Sequence, residues 1–590
     1  MINQKSIAVL PFENISSDQE NEYFADGMTE EIINALSKIV GLKVTARTSS
    51  FVFKGNKKDV RVIGNQLGVS TVLEGSIRKS GNRIRITAQL IRTDNGFHLW
   101  SDNFDRTLSD VFQLQDEISL LIADKIRENF GHLNIQEHLV RPSTASIEAY
   151  ELYLKGCFYQ KKWNLEDIAR GAQYFEESLS KDRNYNLAYF GAGLCYGLLG
   201  SWGYMDRAKA FQMAQTNFDK GYALSTNSAY AYHCMATHSF WGLWDYQQAL
   251  QHIKQALTIK PEEPEINECL AEIYTALGDF ESAKQAIDIS LKSDPLSPNH
   301  FYTKANIYYL QGEFEDALTF LKQSLSLDSS FALSIHLKIA CYIHLGRFNE
   351  LSESNFRHQP QLYQIVKTIA SVLNNELINS MEALELINSY SNTKPSPLFA
   401  WDLYLLTLID EEEAITQLEM FCQQQFGLVI NFKNEPFFHS LRNKSAFQQL
   451  INKYFPSRSL KVDLSKPKVE TKVIIDEAKV NNYIKALDHL MEQGKYMDSE
   501  LNLKELASLI KLHPNKLSWL LNEKIGKNFN EYVNAYRIEA FQEMALSEKG
   551  EKLTLLALAY ESGFNSKSVF NDSFKKLTGQ TPKQWVKSNQ

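Results

Sequence analysis

The 590-residue sequence is poor in cysteine and has no long apolar run. Its six cysteines stand singly, without a CxxC pair or a His/Cys cluster at metal-ligand spacing, which favours reduced thiols. No apolar stretch approaches the ~20 residues that cross a bilayer. The first residues, MINQKSIAVLPF, hold too short an apolar run for a secretory signal. We therefore expect a cytoplasmic protein with no membrane span and no bound metal.

The motifs of the common catalytic sites are also missing. The sequence contains no P-loop, no HExxH, no GxSxG and no GxGxxG with an acidic residue at the required distance. We therefore expect no catalytic residues and no cofactor. An enzyme with its active site in the N-terminal region is the function class that the sequence favours least.

Charge is distributed unevenly along the chain. The net charge is −8, yet residues 511–590 hold twelve Lys/Arg against eight Asp/Glu. A mildly basic end on an acidic body is compatible with nucleic-acid binding confined to that end. An excess of four positive charges also fits an ordinary solvated surface. Whether this end of the chain binds nucleic acid is therefore judged from its sequence motifs.

Residues 6–127 alternate strand and helix patterns and predict a compact α/β domain. A hairpin is the clearest element, because two strand patterns flank the turn Ser80-Gly81-Asn82. In its second strand, apolar Ile84, Ile86, Ala88 and Leu90 share one face and polar residues share the other, as in a half-buried antiparallel strand. The predicted strands are Ser6–Pro11, Lys43–Thr45, Thr71–Lys79 and Arg83–Arg92, and the predicted helices are Met28–Ile39, opened by Asp26-Gly27, and Val60–Leu67.

The stretches IAVLPFENIS, EYFADGMTEEI, TSSFVFKG, GVSTVLEGSIRKSG, RITAQLI and HLWSDNFDR resemble the TolB-like N-terminal domain. That domain accompanies tetratricopeptide-repeat (TPR) arrays in bacterial nucleotide cyclases and regulators. The resemblance implies an α/β domain over residues 1–130 but no chemistry, because the domain has no agreed activity. No second region of this sequence could supply a cyclase catalytic domain.

Residues 146–350 contain a repeat with a period of 34 residues. Alanines, aromatic residues, leucines and glycines each recur at this spacing, for example at Ala249, Ala283 and Ala317. Small residues let helices approach closely, and a glycine ends the first helix of each pair. The pattern resembles the TPR and implies an all-α solenoid, in which the aromatic side chains are core residues rather than a ligand box.

Residues 351–457 lose the period but stay helical in pattern. The segment EPFFHSLRNKSAFQQLINKY resembles the closing element that follows such arrays in TolB-like/TPR proteins, so we expect this region to extend and cap the solenoid. Residues 458–475 are polar, aperiodic and contain proline, which predicts a linker.

Residues 476–590 contain two helix-turn-helix patterns in tandem. In the first, an apolar stripe through Leu503, Leu506 and Ala507 is broken at Pro514 before a second helix. In the second, Leu555–Tyr560 precedes Glu561-Ser562-Gly563, and the next helix is expected to bury Val569, Phe570, Phe574 and Leu577. A small residue at the helix crossing and a glycine at the turn are what this motif requires, and Ala507, Ala559 and Gly563 meet that need.

The run LTLLALAYESGFNSKSVFNDSFKKLTGQTPKQW closely resembles the signature of the AraC family of transcriptional regulators. The segment GKNFNEYVNAYRIEAF resembles the part that joins the family's two helix-turn-helix units, with Phe541 where many members have alanine. The resemblance covers about residues 482–585. It implies that two recognition helices read successive major-groove segments of promoter DNA.

Polar side chains near the start of each second helix are the candidate DNA contacts. Lysines are candidates for phosphate or base contacts, and Asn515, Ser568 and Asn571 for base edges. Trp519 fits the core or a sugar contact equally well, and Ser566 is expected to cap its helix. The complete set is Asn515, Lys516, Ser518, Trp519, Ser566, Lys567, Ser568, Asn571 and Lys575.

Together these patterns predict a multidomain, cytoplasmic, sequence-specific transcription factor. Promoter DNA is the expected partner of the C-terminal domain, and a protein or peptide is the expected partner of the TPR array. The sequence leaves the oligomeric state open, and a homodimer is one state that it allows. The alternative is an interaction scaffold in which the TPR array carries the function and the DNA-binding module is not essential.

Overall fold

The computed structural model describes residues 3–56, 58–162, 164–225, 228–351, 356, 360–376, 379–391, 399–456 and 477–589. The chain divides into two compact units, residues 1–141 with 468–590 and residues 142–467. The linker predicted at 458–475 lies outside the described residues. Within the described parts of the chain, no helix combines the length and the apolar character needed to span a bilayer.

A six-stranded sheet forms the N-terminal part of the first unit. Its strands are β1 (Asn3–Val9), β2 (Glu13–Asn14), β3 (Lys43–Val44), β4 (Val69–Ser80), β5 (Arg83–Arg92) and β6 (His98–Thr107), and its helices are α1 (Glu22–Leu36), α2 (Arg47–Phe51), α3 (Val60–Leu67) and α4 (Val111–Phe130). The strand order is β3-β1-β4-β5-β6, with β2 beside β4. Strand β1 runs parallel to β3 and β4, and β2 runs parallel to β4, whereas the pairs β4–β5 and β5–β6 are antiparallel.

The predicted hairpin is confirmed. Ser80 pairs with Arg83, which leaves a two-residue turn between β4 and β5. The side chains of Ile84 and Ile86 are fully buried, while Arg83 and Arg85 are exposed and both pair with one carboxylate across the sheet. The alternation therefore places one face of β5 in the core and the other in solvent.

Two features of this domain differ from the prediction. Helix α1 begins at Glu22, so Asp26 and Gly27 are buried inside it instead of opening it. The carboxylate of Asp26 accepts a 2.6 Å hydrogen bond from Lys54 Nζ, which compensates for its burial. In addition, β6 and α4 are elements whose boundaries were not predicted from the sequence.

The second unit is built from helices. They are α5 (Ile147–Gln160), α6 (Leu165–Lys181), α7 (Asn186–Ser201), α8 (Arg207–Leu224), α9 (Ala229–Thr237), α10 (Tyr246–Ile259), α11 (Pro264–Leu277), α12 (Phe280–Ser293), α13 (Pro298–Gln311), α14 (Phe314–Leu327), α15 (Ala332–His344), α16 (Pro360–Leu373), α17 (Ser380–Ser391), α18 (Trp401–Ile409), α19 (Glu411–Gln423) and α20 (Ser445–Tyr454).

The 34-residue period corresponds to helix pairs. Ala249, Ala283 and Ala317 occupy equivalent positions on α10, α12 and α14 and are fully buried. Gly278 and Gly312 end α11 and α13 with φ of +82° and +88°, the left-handed conformation that glycine adopts without a Cβ penalty. The small and glycine positions therefore have the structural roles that the period predicts.

The segment between α19 and α20 contacts several repeats. Asn434 donates to the backbone carbonyl of Thr275 at the end of α11, and Glu435 accepts a 2.6 Å hydrogen bond from the Tyr309 hydroxyl of α13. Further along, the ring of Phe437 packs on His344 of α15. The segment therefore crosses the first helices of successive pairs, in addition to lying after the last one in sequence.

The C-terminal part of the first unit is all-α. Its helices are α21 (Glu477–Glu492), α22 (Leu503–Leu509), α23 (Pro514–Leu520), α24 (Phe529–Ala545), α25 (Glu548–Lys552), α26 (Leu555–Glu561), α27 (Lys567–Thr578) and α28 (Pro582–Asn589).

Candidate nucleic-acid interface

The first helix-turn-helix consists of α22 and α23. Asn502 caps α22 by accepting a 3.0 Å hydrogen bond from Glu505 N. Leu503, Leu506 and Ala507 are buried, and Ala507 is fully buried as a residue at a helix crossing should be. The predicted apolar stripe and the break before α23 are thus confirmed.

The second helix-turn-helix consists of α26 and α27, and its turn depends on Gly563. This residue has φ of +98°, and a Cβ added to it would lie 2.6 Å from the carbonyl oxygen of Tyr496. Both the backbone conformation and the close approach therefore require glycine. Ala559 is fully buried, in agreement with the prediction.

Helix α24 joins the two motifs. It begins with a capping box in which Asn528 and Glu531 exchange side-chain and backbone hydrogen bonds. Near its middle, the Arg537 guanidinium donates to the backbone carbonyls of Tyr496 and Asp498. Burial lowers the pKa of Arg537 to about 10. Because these carbonyls precede α22, the Arg537 side chain of α24 holds the segment that leads into the first motif.

The same helix supports the second motif through aromatic packing. The ring of Phe541 lies 4.7 Å from Phe570 and 5.5 Å from Phe574 of α27. All three rings are buried. Phe541 meets Phe574 edge to face, which is a favourable arrangement, and is tilted by 56° against Phe570. Phe541 is thus accommodated by the core, as expected for a position where the resembling family often has alanine.

The predicted contacts on α27 lie at the surface. Lys567 and Lys575 are exposed, and Ser566, Ser568 and Asn571 are half-buried. Lys567, Ser568 and Asn571 line one open depression, together with Ser566, the carboxylate of Asp572 and Phe97 from the turn between β5 and β6. The helix therefore presents a cation, a hydroxyl and an amide side by side, which is the donor and acceptor set that base edges and phosphates require.

Three details of α27 correct the expectations from sequence. Val569 is 41% exposed and Leu577 is 51% exposed, whereas both were expected in the core. Val569 lies about 100° around the helix from Phe570, and Leu577 lies in the last turn, beyond the aromatic cluster. Ser566 occupies the capping position, but its hydroxyl bonds Ser568 at 2.8 Å and makes no cap hydrogen bond.

The predicted contacts on α23 have different surroundings. Lys516 is exposed and Trp519 is half-buried, with Lys524 Nζ 5.6 Å from the indole centroid. Ser518 is only 2% exposed, so the expectation that it lies on an open face is wrong. The Asn515 amide is hydrogen-bonded to residues of the α/β domain, including Asn134 Oδ1 at 2.8 Å.

The residues of α4 that meet the first motif were not predicted from the sequence. Glu128 accepts a hydrogen bond from Leu503 N at 3.2 Å, and Asp124 pairs with Lys504 at 2.7 Å. These partners lie more than 370 residues apart in sequence, and no local pattern could reveal them. Within the part of the chain that the structure describes, no group of three or more His, Cys, Asp or Glu side chains could hold a metal ion.

Known protein families match four parts of this chain. Residues 506–588 match the helix-turn-helix domain, and residues 3–121 match the second domain of HilA/YgeH-like transcriptional regulators. Residues 244–307 and 301–331 match tetratricopeptide repeats.

Individual relatives are similar over short parts of the chain. "Putative adenylate cyclase 3" of Rhizobium meliloti (strain 1021) is 49% identical over 152 residues, 25% of this chain and 25% of that protein. An uncharacterized HTH-type transcriptional regulator of Staphylococcus aureus (strain COL) is 33% identical over 90 residues, 15% of this chain and 12% of that protein. The chain thus spans a quarter or less of the length of these relatives.

Among solved structures, the type IV pilus biogenesis factor PilW covers 36% of this chain and 94% of its own, with 18% identity and a TM-score of 0.30. A likeness at this level supports no conclusion on function. The family matches show a helix-turn-helix domain, a HilA/YgeH-like regulator domain and tetratricopeptide repeats in one chain.

Proposed function

We propose that the protein is a sequence-specific DNA-binding transcription regulator of the AraC type. The observation that carries this proposal is the arrangement of two helix-turn-helix motifs at the two ends of α24, with lysine, serine and asparagine side chains near the start of α27. In such a motif the second helix enters the major groove and its N-terminal residues contact base edges.

Each predicted contact has a distinct role in this proposal. Lys516, Lys567 and Lys575 neutralise phosphates or donate to bases, while Ser568 and Asn571 read base edges. Asn515 and Trp519 contribute from α23 when that helix is accessible, and Ser566 positions Ser568 through their shared hydrogen bond. Ser518, being buried, supports α23 instead of touching DNA.

In this proposal the TPR array and the N-terminal domain receive the signal that regulates DNA binding. The TPR array is the proposed docking site of a protein or peptide, and the N-terminal domain retains its TolB-like resemblance in addition to the regulator match. Because its target is promoter DNA, we place the protein in the cytoplasm, acting without an enzymatic activity or a cofactor. Docking on the array alone, favoured by the repeat matches over residues 244–331, is the second candidate function.

Selection of DNA from a random pool tests the first function. The full-length protein should enrich a defined sequence, and Asn571→Ala should lose about 1–3 kcal/mol of preference at the base pair that Asn571 reads. Asn589→Ala, at the exposed end of α28, is the matched control and should enrich the same sequence as the unmodified protein. Failure of the full-length protein to enrich any sequence would favour the scaffold function.

A further inference from the structure

The end of α4 and the following residues form a contact surface for the first helix-turn-helix and for the start of α24. Besides the pairs made by Asp124 and Glu128, the Asn129 carbonyl accepts a 2.9 Å hydrogen bond from Asn528 Nδ2. Its Oδ1 accepts another, of 3.0 Å, from Asn530 Nδ2. All these residues belong to one compact unit of the structure. We call residues 124–135 the α4 surface.

The amide of Asn515 on α23 is fully engaged by the α4 surface. Its Oδ1 accepts from Arg127 Nη1 at 2.5 Å and from Ile135 N at 3.4 Å. Its Nδ2 donates to Asn134 Oδ1 at 2.8 Å and to the Ile135 carbonyl at 3.0 Å. An asparagine that reads adenine needs Oδ1 and Nδ2 together, so these bonds and a base contact exclude each other.

The covered face of α23 extends beyond Asn515. Ser518 follows three positions later, on the same side of the helix, and Asn522 lies just beyond the end of α23 at Leu520. Ser518 is buried, and a Cβ added to Gly131 would lie 2.7 Å from Asn522 Oδ1, which shows how closely the two surfaces approach. DNA cannot enter between them while this contact persists.

The charged side chains at this contact are also paired with one another. Arg127 is 2% exposed, and its guanidinium pairs with Asp124, which also pairs with Lys504 of α22. Truncating one member of a buried charged network leaves another charge unpaired, which is costly. These hydrogen bonds and ion pairs fix one specific orientation of the first motif on the α4 surface.

On this basis, and resting on the DNA-binding function proposed above, we propose that the α4 surface and DNA compete for the first recognition helix. With the surface docked, Asn515 of α23 is withheld from the major groove, whereas Lys567 and Lys575 of α27 stay exposed. When the α4 surface undocks, α23 becomes available as a second recognition helix. The length of DNA that the protein contacts therefore depends on this intramolecular contact.

Footprinting of the full-length protein on its selected DNA tests the competition. Asn129→Arg places a bulky cation against Asn530 and should prevent docking without changing the DNA-binding domain. The footprint should lengthen by about one helical turn, and affinity for the longer site should rise by about tenfold. Asn34→Arg, at an exposed position of α1, adds the same charge outside the α4 surface. It should change neither the length of the footprint nor the affinity for the longer site.

A milder variant and a DNA-independent measurement guard against misfolding. Asn134→Ala removes one acceptor of Asn515 from an exposed position and should produce a smaller shift in the same direction. In both interface variants, hydrogen exchange in residues 503–520 should accelerate in the absence of DNA.

The same footprints distinguish competition for α23 from DNA binding itself. A footprint of the unmodified protein that already spans both segments, unchanged by Asn129→Arg, would overturn the competition and leave the DNA-binding function intact. Absence of selective DNA binding in the unmodified protein and in both interface variants would reject the function and the inference together.

Discussion

Gly563 is the single residue on which the geometry of the second helix-turn-helix depends most. Its positive φ costs another residue about 1–2 kcal/mol, and a Cβ would also meet the backbone of Tyr496 and Met497. Gly563→Ala should therefore destabilise the DNA-binding domain by more than the backbone cost alone.

Gly579 provides a matched comparison, since its φ is +76° and a Cβ there would have no neighbour within 4 Å. Gly579→Ala should cost only the backbone contribution. Urea denaturation monitored in the first unit would compare the two variants, and equal losses of stability would contradict the role assigned to the close approach of Tyr496.

A buried ion cluster in the repeat array predicts a pH dependence of stability. His300 is 3% exposed, and its two ring nitrogens lie 2.8 Å from Glu268 and 3.2 Å from Asp294. Burial alone would lower the pKa of His300, but the two carboxylates raise it well above its usual value. In the folded protein the imidazole therefore holds its proton at a pH where the unfolded chain has released it.

Because the folded-state pKa of His300 is raised, its contribution to stability is complete below about pH 6.5. It is lost as pH rises toward the folded value, by up to about 1.4 kcal/mol per pH unit. Denaturation of the second unit between pH 6 and 9 should show this decline, and His300→Gln should make it smaller. The same slope in both proteins would contradict the assignment.

At the scale of elements, the segment crossing the repeats depends on Glu435. Its carboxylate is 7% exposed and accepts hydrogen bonds from the Tyr309 hydroxyl and Phe437 N. Burial raises the pKa of Glu435 to about 7, against the opposing effect of these hydrogen bonds. The carboxyl group therefore anchors the segment to α13.

Glu435→Ala should lower the stability of the second unit by about 1–3 kcal/mol, because the buried Tyr309 hydroxyl loses its acceptor. Glu435→Gln keeps an acceptor and should cost less. The exposed Glu412→Ala is the control and should stay within about 0.5 kcal/mol in a thermal denaturation series. Equal effects of Glu435→Ala and Glu412→Ala would show that the segment is not anchored there.

The elements that could be predicted from sequence are those with a local pattern. The β4–β5 hairpin follows from strict alternation, the repeat from a fixed period, and the turn of the second motif from Gly563. The burial of Ser518, Val569 and Leu577 could not be predicted correctly. The spacing of apolar residues shows which side of a helix a side chain lies on, but not how far the neighbouring elements cover that side. The engagement of Asn515 depends on the α4 surface, some 380 residues away, and leaves no local signal.

At the scale of the whole molecule, the proposed function requires selective DNA binding by a chain whose net charge is −8. Repulsion by the acidic body makes a general affinity for DNA weak, so selectivity has to come from base contacts by the helix-turn-helix domain. The contributions of phosphate contacts and of base contacts to the affinity can be separated by salt. Only the contribution of the phosphate contacts falls with rising salt, in proportion to the number of phosphates neutralised.

The most direct measurement is a salt titration of the full-length protein on its selected duplex and on a scrambled duplex. We predict that the selected duplex binds at least about a thousandfold tighter. The double variant Lys567→Ala/Lys575→Ala should weaken binding to both duplexes and reduce the salt slope by about 0.9 for each phosphate that is no longer neutralised. Equal affinities for the two duplexes at every salt concentration would contradict the account.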